Sequence, residues 1–397
     1  VLDGMRVVSF CHYLQGPAAA QYLADMGADV IKVEPTSGAW ERHWSGANAF
    51  VDGISAFYLA ANRNKRSLAV DLKHPDGKAV ILRLLEGADV LMENFRPGVL
   101  DRLGLGYEQV RARNPAIIYA SATGYGPSGP MAQRPGQDLL IQALSGLIAA
   151  TGNQRPTPIG FAAADQHGAA LLAMGILGAY VRRLQTGEGT RIDANLLNAG
   201  LDLQTEPLTL YYSSHARRDA FRRDLNLATW YHEAPYGVYR IADGWLAVSL
   251  NDPKKLAAAL NSEALAALSG LDRYEERDRY AQALAEELAS RSYAELAPGL
   301  DEHAIWYARM HDYDELPDDP QIRHNQVFRE VPVGEGRATL INHPLRYDGE
   351  VPALRRLALR LGEDTRAVLS ELGYAAAEID ELIARRVVAA PGEEASG

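Results

Sequence analysis

The sequence predicts an α/β protein in which a doubly wound domain over a mainly parallel sheet is interrupted by a smaller α+β domain. Three observations carry this. Short β-branched runs alternate with helical stretches through the first half of the chain, the pattern of a parallel sheet with crossover helices. From about residue 202 that alternation breaks, and a hairpin followed by Ala- and Leu-rich helices takes over. With 397 residues the chain also exceeds what one hydrophobic core comfortably holds.

Taken in order, residues 6–10 form a first strand, Gln15-Gly16-Pro17 opens a helix, and VIKVE at 30–34 is a second strand. Pro17 in the first helical turn and Gly27 past its end complete a βαβ opening. Further strand runs are expected at 68–72, 90–93, 117–120 and 191–194, with helical stretches from Lys78 and Gly98 between them. A long apolar helix follows Asp165, with Arg182, Arg183 and Gly187 as its stop signals. Residues 236–250, YGVYRIADGWLAVSL, read as two alternating strands about an Asp243-Gly244 turn. Helices are then expected at 254–268 and 277–296, followed by the strand-rich runs VFREVPV and INHPLRYDG and a helical region ending near Ile383. The implied boundaries are 1–205 for the first part of the large domain and 206–232 for a linker, then 233–325 for the small domain and 326–397 for a return segment. The tail from Ala390 reads as unstructured.

Composition narrows the function. Hydrophobic content of 47% and charged content of 23% are those of an ordinary globular protein, and a net charge of −11 argues against a nucleic-acid surface. No apolar run reaches the ~18 residues a membrane span needs, and the opening VLDGMRVVSF reads as a strand rather than a signal peptide. The one cysteine, Cys11, excludes a disulfide framework within the chain, suits a cytoplasmic setting, and reads as a space-filling residue.

The ten histidines show no H-x-x-x-H or H-E-x-x-H spacing, so no metal site is expected. The loop after the first strand lacks G-x-G-x-x-G, which disfavours a dinucleotide dehydrogenase, and no G-x-S-x-G elbow is present. Acidic side chains remain as candidates. Asp165 at the mouth of the apolar helix has two readings. It caps the helix, or the positive helix end keeps its carboxylate ionised beside an apolar pocket for use as a nucleophile. Arg63-Asn64-Lys65-Arg66, with Arg96 and Arg102, are either a solvated charge run or phosphate ligands. The first cluster precedes its strand. In a parallel sheet that puts it at the edge opposite the loops at Gln15-Gly16-Pro17 and Asn94-Phe95-Arg96-Pro97-Gly98.

The stretches QGPAAAQYLADMGADVIKVEP, NRNKRSLAVDLKHPDGK, ADVLMENFRPGVLDRLGLGYE, NPAIIYASATGYGPSGP, TGEGTRIDANLL and LGEDTRAVLSELGY resemble the class III coenzyme A transferases, the family that also holds the α-methylacyl-CoA racemases. The resemblance spans nearly the whole chain. It implies a Rossmann-like large domain built from both chain ends, a small domain between, and a homodimer of two interlocked subunits. It implies that Asp165 is a covalent nucleophile. Its carboxylate attacks an acyl-CoA thioester, and CoA passes through aspartyl intermediates to a free carboxylic acid. Coenzyme A is then a substrate, and no permanently bound cofactor is required. By matching motif the resemblance implies CoA contacts at Gln15, Asn64, Lys65, Arg66, Asn94, Phe95, Arg96, Arg102 and Asp138. Racemases of the family carry a histidine directly before an acidic residue in the loop after the glycine-rich turn, and here that pair is Gln137-Asp138. An amide neither takes nor gives the α-proton, which favours transferase over racemase, with a non-catalytic CoA-binding protein as the third reading.

Overall fold

The computed structural model describes residues 1–214 and 218–392. The chain divides into two compact units. One contains Val1–Ile141, Ala162–Leu203 and the chain from Pro320 onward, and the other contains Gln142–Phe161 and Gln204–Asp319.

The strands, in chain order, are β1 (Arg6–Ser9), β2 (Asp29–Glu34), β3 (Phe50–Val51), β4 (Ile54–Ser55), β5 (Lys65–Val70), β6 (Val90–Glu93), β7 (Ile118–Thr123) and β8 (Thr190–Asn195), then β9 (Gly237–Ile241), β10 (Gly244–Val248), β11 (Tyr307–Arg309), β12 (Phe328–Val333), β13 (Gly336–Ile341) and β14 (Val388–Ala389). The central sheet of the larger unit runs β14-β5-β2-β1-β6-β7-β8. All neighbours are parallel except β14, which pairs antiparallel with β5. Leaving out the β3–β4 hairpin and β14, the parallel strands fall in the order third, second, first, fourth, fifth, sixth. This is the Rossmann order, with its switch point between β1 and β6.

Side chains alternate across such a sheet, and both faces here are apolar. Val8, Ile31, Leu91 and Tyr119 face one core together with the helices Pro75–Glu86, Thr365–Glu371 and Ala376–Ala384. Val7, Val30, Val90 and Ile118 face the other, against the helices Gln15–Asp25 and Ala163–Thr186. Ala19, Ala20 and Ala24 of one helix and Ala169 and Ala173 of the other share this second core, small side chains that let the two helices lie close together.

In the smaller unit a three-stranded antiparallel sheet, β11-β10-β9, packs Tyr239 and Leu246 with Leu256, Leu284 and Leu300 from its helices. This unit begins earlier than the boundaries expected from sequence, taking in Gln142–Phe161 and the segment read as a linker. Hydrogen bonds explain why. Gln204 donates to the Ser145 carbonyl (2.9 Å), Asn153 to the Asp224 carbonyl (2.9 Å), and Arg223 to the Gly152 carbonyl (3.3 Å). Residues 206–232 also hold a helix, Thr205–Ser213, although 215–217 lie outside the described residues.

Several element expectations need correction. The third parallel strand starts at Lys65 rather than Leu68, because Lys65 and Arg66 already pair in register with Val30 and Ile31. Each expected small-domain helix is two. Asn261, at φ +50°, ends Pro253–Leu260 in a left-handed cap, and a Ser292–Glu295 capping box starts Tyr293–Glu302 after Arg277–Leu288 has stopped. The hairpin turn is Ala242-Asp243, since Gly244 already pairs with Ile241. The run INHPLRYDG is not a strand, because β13 ends at Ile341. The terminal region adds β14 on the sheet edge, and of the tail read as unstructured, residues 393–397 lie outside the described residues.

Candidate active site

In a doubly wound sheet, ligands collect outside the carboxyl ends of the strands at the switch point. A cavity of about 620 Å³ lies there, lined by residues after β1 (His12, Tyr13, Gln15), after β6 (Asn94, Phe95, Arg96) and from the loop and helix starts beyond β7, Asp138 and Asp165 among them. Asn94 fixes its shape. The carboxamide accepts from the His12 backbone N–H (2.8 Å) and donates to the His12 carbonyl (2.7 Å), clamping the loop after β1. Within that loop Tyr13 sits at φ +62°, a left-handed conformation costly for an aromatic residue, which turns its ring toward the cavity. Two glycines close the opposite loop. A Cβ on Gly124 would lie 2.7 Å from the Gly136 backbone, so only glycine permits this pinch.

Asp165 stands in the first turn of Ala163–Thr186, but it is not the cap. The N-cap is Ala162, with no side-chain cap bond of its own. The capping oxygen comes from Asp138, whose Oδ1 accepts from the backbone N–H of Ala164 (2.7 Å) and of Asp165 (3.0 Å). This leaves the Asp165 carboxyl free to face the cavity, where the backbone N–H of Gln15, at the start of the helix Gln15–Asp25, donates to it. Two helix N-termini therefore converge on one carboxyl group. Burial nevertheless dominates. It raises Asp165 to about 7, with the Asp138 charge adding to the rise and the Gln15 N–H opposing it. The expectation that the helix end simply keeps this acid ionised is thus corrected, since near neutrality it is only about half ionised.

Lys32 and Glu41, both buried, pair with each other. Lys32 donates to Glu41 (2.8 Å) and to the Cys11 carbonyl (2.9 Å), and His12 Nδ1 lies 3.9 Å from Glu41. Burial and then Lys32 lower His12 to about 4, so its imidazole is neutral. Burial pushes the Cys11 thiol up to about 12, consistent with a packing role.

The structure brings Gln15, Asn94, Phe95, Arg96, Asp138 and Asp165 together at the cavity. It does not bring Asn64, Lys65, Arg66 or Arg102 there. Asn64 donates to Asp25 (2.8 Å) and the Ala353 carbonyl (3.0 Å). Lys65 Nζ is buried on the Pro17 and Ala61 carbonyls and Asn62 Oδ1. Arg66 pairs with Asp29 and Glu371. Arg102 lies beside Gly98, off the cavity lining. His167 Nε2 pairs with Asp202 (2.7 Å) and likewise does not line it. Sequence reasoning missed Trp40, Trp44, Phe57 and Arg134 as lining residues. The Trp pair was signalled by its i, i+4 spacing in AWERHW, which stacks the rings 4.7 Å apart.

Fold and site together define an α/β protein that holds an acid of near-neutral proton affinity at the switch point of its sheet. The chain belongs to CoA-transferase family III, whose sequence pattern matches residues 2–365. A succinate–glutarate CoA-transferase of Agrobacterium fabrum is 32% identical over 396 residues, covering 94% of this chain and 95% of its own. A probable fatty acyl-CoA transferase of Mycobacterium tuberculosis is 32% identical over 366 residues, covering 87% and 91%. A CaiB/BaiF family protein from Brucella suis superposes with a TM-score of 0.81 at 30% identity, covering 94% of this chain and 99% of its own. The family expected from the motifs is thus the one found, and the chain is an enzyme that transfers CoA between an acyl-CoA and a carboxylic acid. Among the described residues, no helix is long and apolar enough to cross a membrane.

Proposed function

We propose that transfer proceeds through covalent intermediates on Asp165. The observation that carries this is the Asp165 carboxyl group itself, facing a cavity of about 620 Å³ and raised by burial to about 7. A carboxylate of that basicity is a better nucleophile than a solvated one and is still substantially ionised at neutral pH. Its oxygen attacks the thioester carbonyl carbon of the donor, the C–S bond breaks, and CoA leaves as thiolate, which leaves the donor acyl group on Asp165 as a mixed anhydride. The thiolate then attacks the Asp165 carbonyl carbon, releasing the donor acid and leaving an aspartyl-CoA thioester. The acceptor carboxylate repeats the exchange in reverse. It displaces thiolate to form a second anhydride, and thiolate attack on the acceptor carbonyl frees Asp165. Each step exchanges one activated acyl group for another, so water must be kept out.

Arg96 and Arg134, exposed at the cavity, suit the phosphates of CoA, and Phe95 suits its apolar arm. Asn94 and Asp138 act as positioning residues through the clamp and the cap. The acceptor is a small carboxylic acid. A homodimer is supported by Met174, Val181 and Leu184, exposed apolar side chains on Ala163–Thr186, and a cytoplasmic setting by the buried free thiol of Cys11.

The test is intact-protein mass spectrometry after mixing with acyl-CoAs. Wild type gains a hydroxylamine-sensitive adduct that maps to Asp165, and Asp165→Ala gains none and loses CoA exchange by at least a thousandfold. An adduct elsewhere, or undiminished exchange in Asp165→Ala, overturns the mechanism.

A further inference from the structure

One wall of the cavity is built of rings. Trp40 stacks on Trp44 at 4.7 Å and 21°, Tyr13 lies 5.2 Å from Trp40, and Phe57 meets Trp44 edge-on at 5.2 Å. All four line the cavity that Asp165 faces. Large aromatic side chains are normally covered, yet Tyr13, Trp40 and Trp44 remain 52%, 47% and 42% exposed. The charges near this wall are already paired. Glu41 holds Lys32, and Arg42 holds Glu34 (2.7 Å).

We propose that this wall selects an aryl-alkanoic acid, one carboxylate on a short chain ending in an aromatic ring, as the group whose CoA thioester is formed and broken at Asp165. The inference rests on the transfer reading above and names its substrate class. Offset and edge-to-face ring contacts favour a planar apolar tail. The distal carboxylate of a dicarboxylic acid finds no cation on this wall. Arg96 and Arg134 are the two cationic side chains among the lining residues, and the phosphates of CoA call on both. His12 is neutral and offers no charge either. A long alkyl chain would need space that the pantetheine arm shares in a cavity of about 620 Å³.

The experiment is identity exchange, in which each acyl-CoA is mixed with its own isotopically labelled acid so that donor and acceptor belong to one class. The pairs are 3-phenylpropionyl-CoA with 3-phenylpropanoate, succinyl-CoA with succinate, and octanoyl-CoA with octanoate. The expected kcat/KM for the aryl pair is at least tenfold above either other pair. Trp44→Ala should lower the aryl-to-succinyl ratio at least tenfold, and Trp44→Phe should bring it back to within about threefold of wild type. Faster exchange of the succinyl or octanoyl pair overturns the proposal. So does an equal fall for all pairs in Trp44→Ala, or a changed elution volume with an unchanged ratio, which would assign the rings to a second copy of the chain. No exchange in any pair together with no Asp165 adduct overturns the transfer reading, and this proposal with it.

Discussion

Two polar tripeptides flank strands of the same sheet and behave in opposite ways. Asn94-Phe95-Arg96 follows the carboxyl end of β6, and Asn64-Lys65-Arg66 opens the amino end of β5. At the first, Asn94 is held by the His12 backbone, Phe95 packs against His12 at 5.2 Å, and Arg96 reaches a cavity. At the second every side chain is held internally, with Arg63 just before it bound to Asp25 through two nitrogens at 2.6 and 3.1 Å. The difference follows from strand direction. Parallel strands splay their crossover loops at the carboxyl edge of the switch point, where a gap opens between loops going opposite ways. A basic side chain at the amino end meets helix ends and returning chain instead, and is buried there with its polar atoms taken up, by carboxylates at Arg63 and Arg66 and by carbonyl and amide oxygens at Lys65. Basic composition alone therefore does not mark a phosphate site in such a fold.

The sharpest way to break this comparison is to remove one arginine from each group. Arg63→Ala leaves Asp25 buried without its cationic partner and the Ile341 carbonyl without the Arg63 donor, so stability should fall by about 3–5 kcal/mol, read by chemical denaturation. The KM for acyl-CoA of the folded fraction should stay within about twofold of wild type. A larger change in KM with little loss of stability would move the phosphate site to the amino edge. Arg96→Ala should do the reverse. Losing one charge-assisted contact to phosphate raises the acyl-CoA KM by about tenfold, with the melting temperature moving by no more than about 2 °C.

Most of the fold was legible because its signals are local. The run at 6–10, Gln15-Gly16-Pro17 and VIKVE set out a βαβ unit by periodicity and Pro placement alone, whereas Asn94 and Asp165 were singled out by resemblance to a family, which left the clamp that Asn94 forms unread. What was not legible depends on chain segments far apart. Asp165 was read as a possible cap because it sits where a cap sits, while the oxygen that caps that helix belongs to Asp138, 26 residues earlier than Ala164. No local pattern announces such a bond. β14 is two residues long, too short to show a period, and exists only because the exposed edge of β5 accepts it. The ring wall carried a helical signal in Trp40 and Trp44, but what makes it a site is the left-handed Tyr13 brought beside it by the Asn94 clamp.

The carboxyl edge also supplies the smallest expected effect, which turns on how two acids share one helix end. Asp165 is raised to about 7, and the proposed nucleophile is its deprotonated form, so kcat/KM should climb about tenfold per pH unit below that value and level off above it. The sign for stability is opposite. A folded-state value above the ordinary carboxylate range means that the native protein binds the extra proton, so this group contributes stability at low pH that is lost as pH rises from about 4 through about 7. Asp138→Asn separates Asp138's charge from its hydrogen bonds. The amide oxygen still accepts from Ala164 and Asp165, so the cap survives, but the negative charge that helps to raise Asp165 is gone. The midpoint of the kcat/KM profile should therefore move to lower pH by a fraction of a unit, because burial, the larger cause, remains. Asp138→Ala should instead cost about 0.5–2 kcal/mol of stability through the lost cap. A midpoint in Asp138→Asn that stays in place or moves upward would show that the two carboxyl groups do not share a field, and that the near-neutral value of Asp165 comes from burial alone.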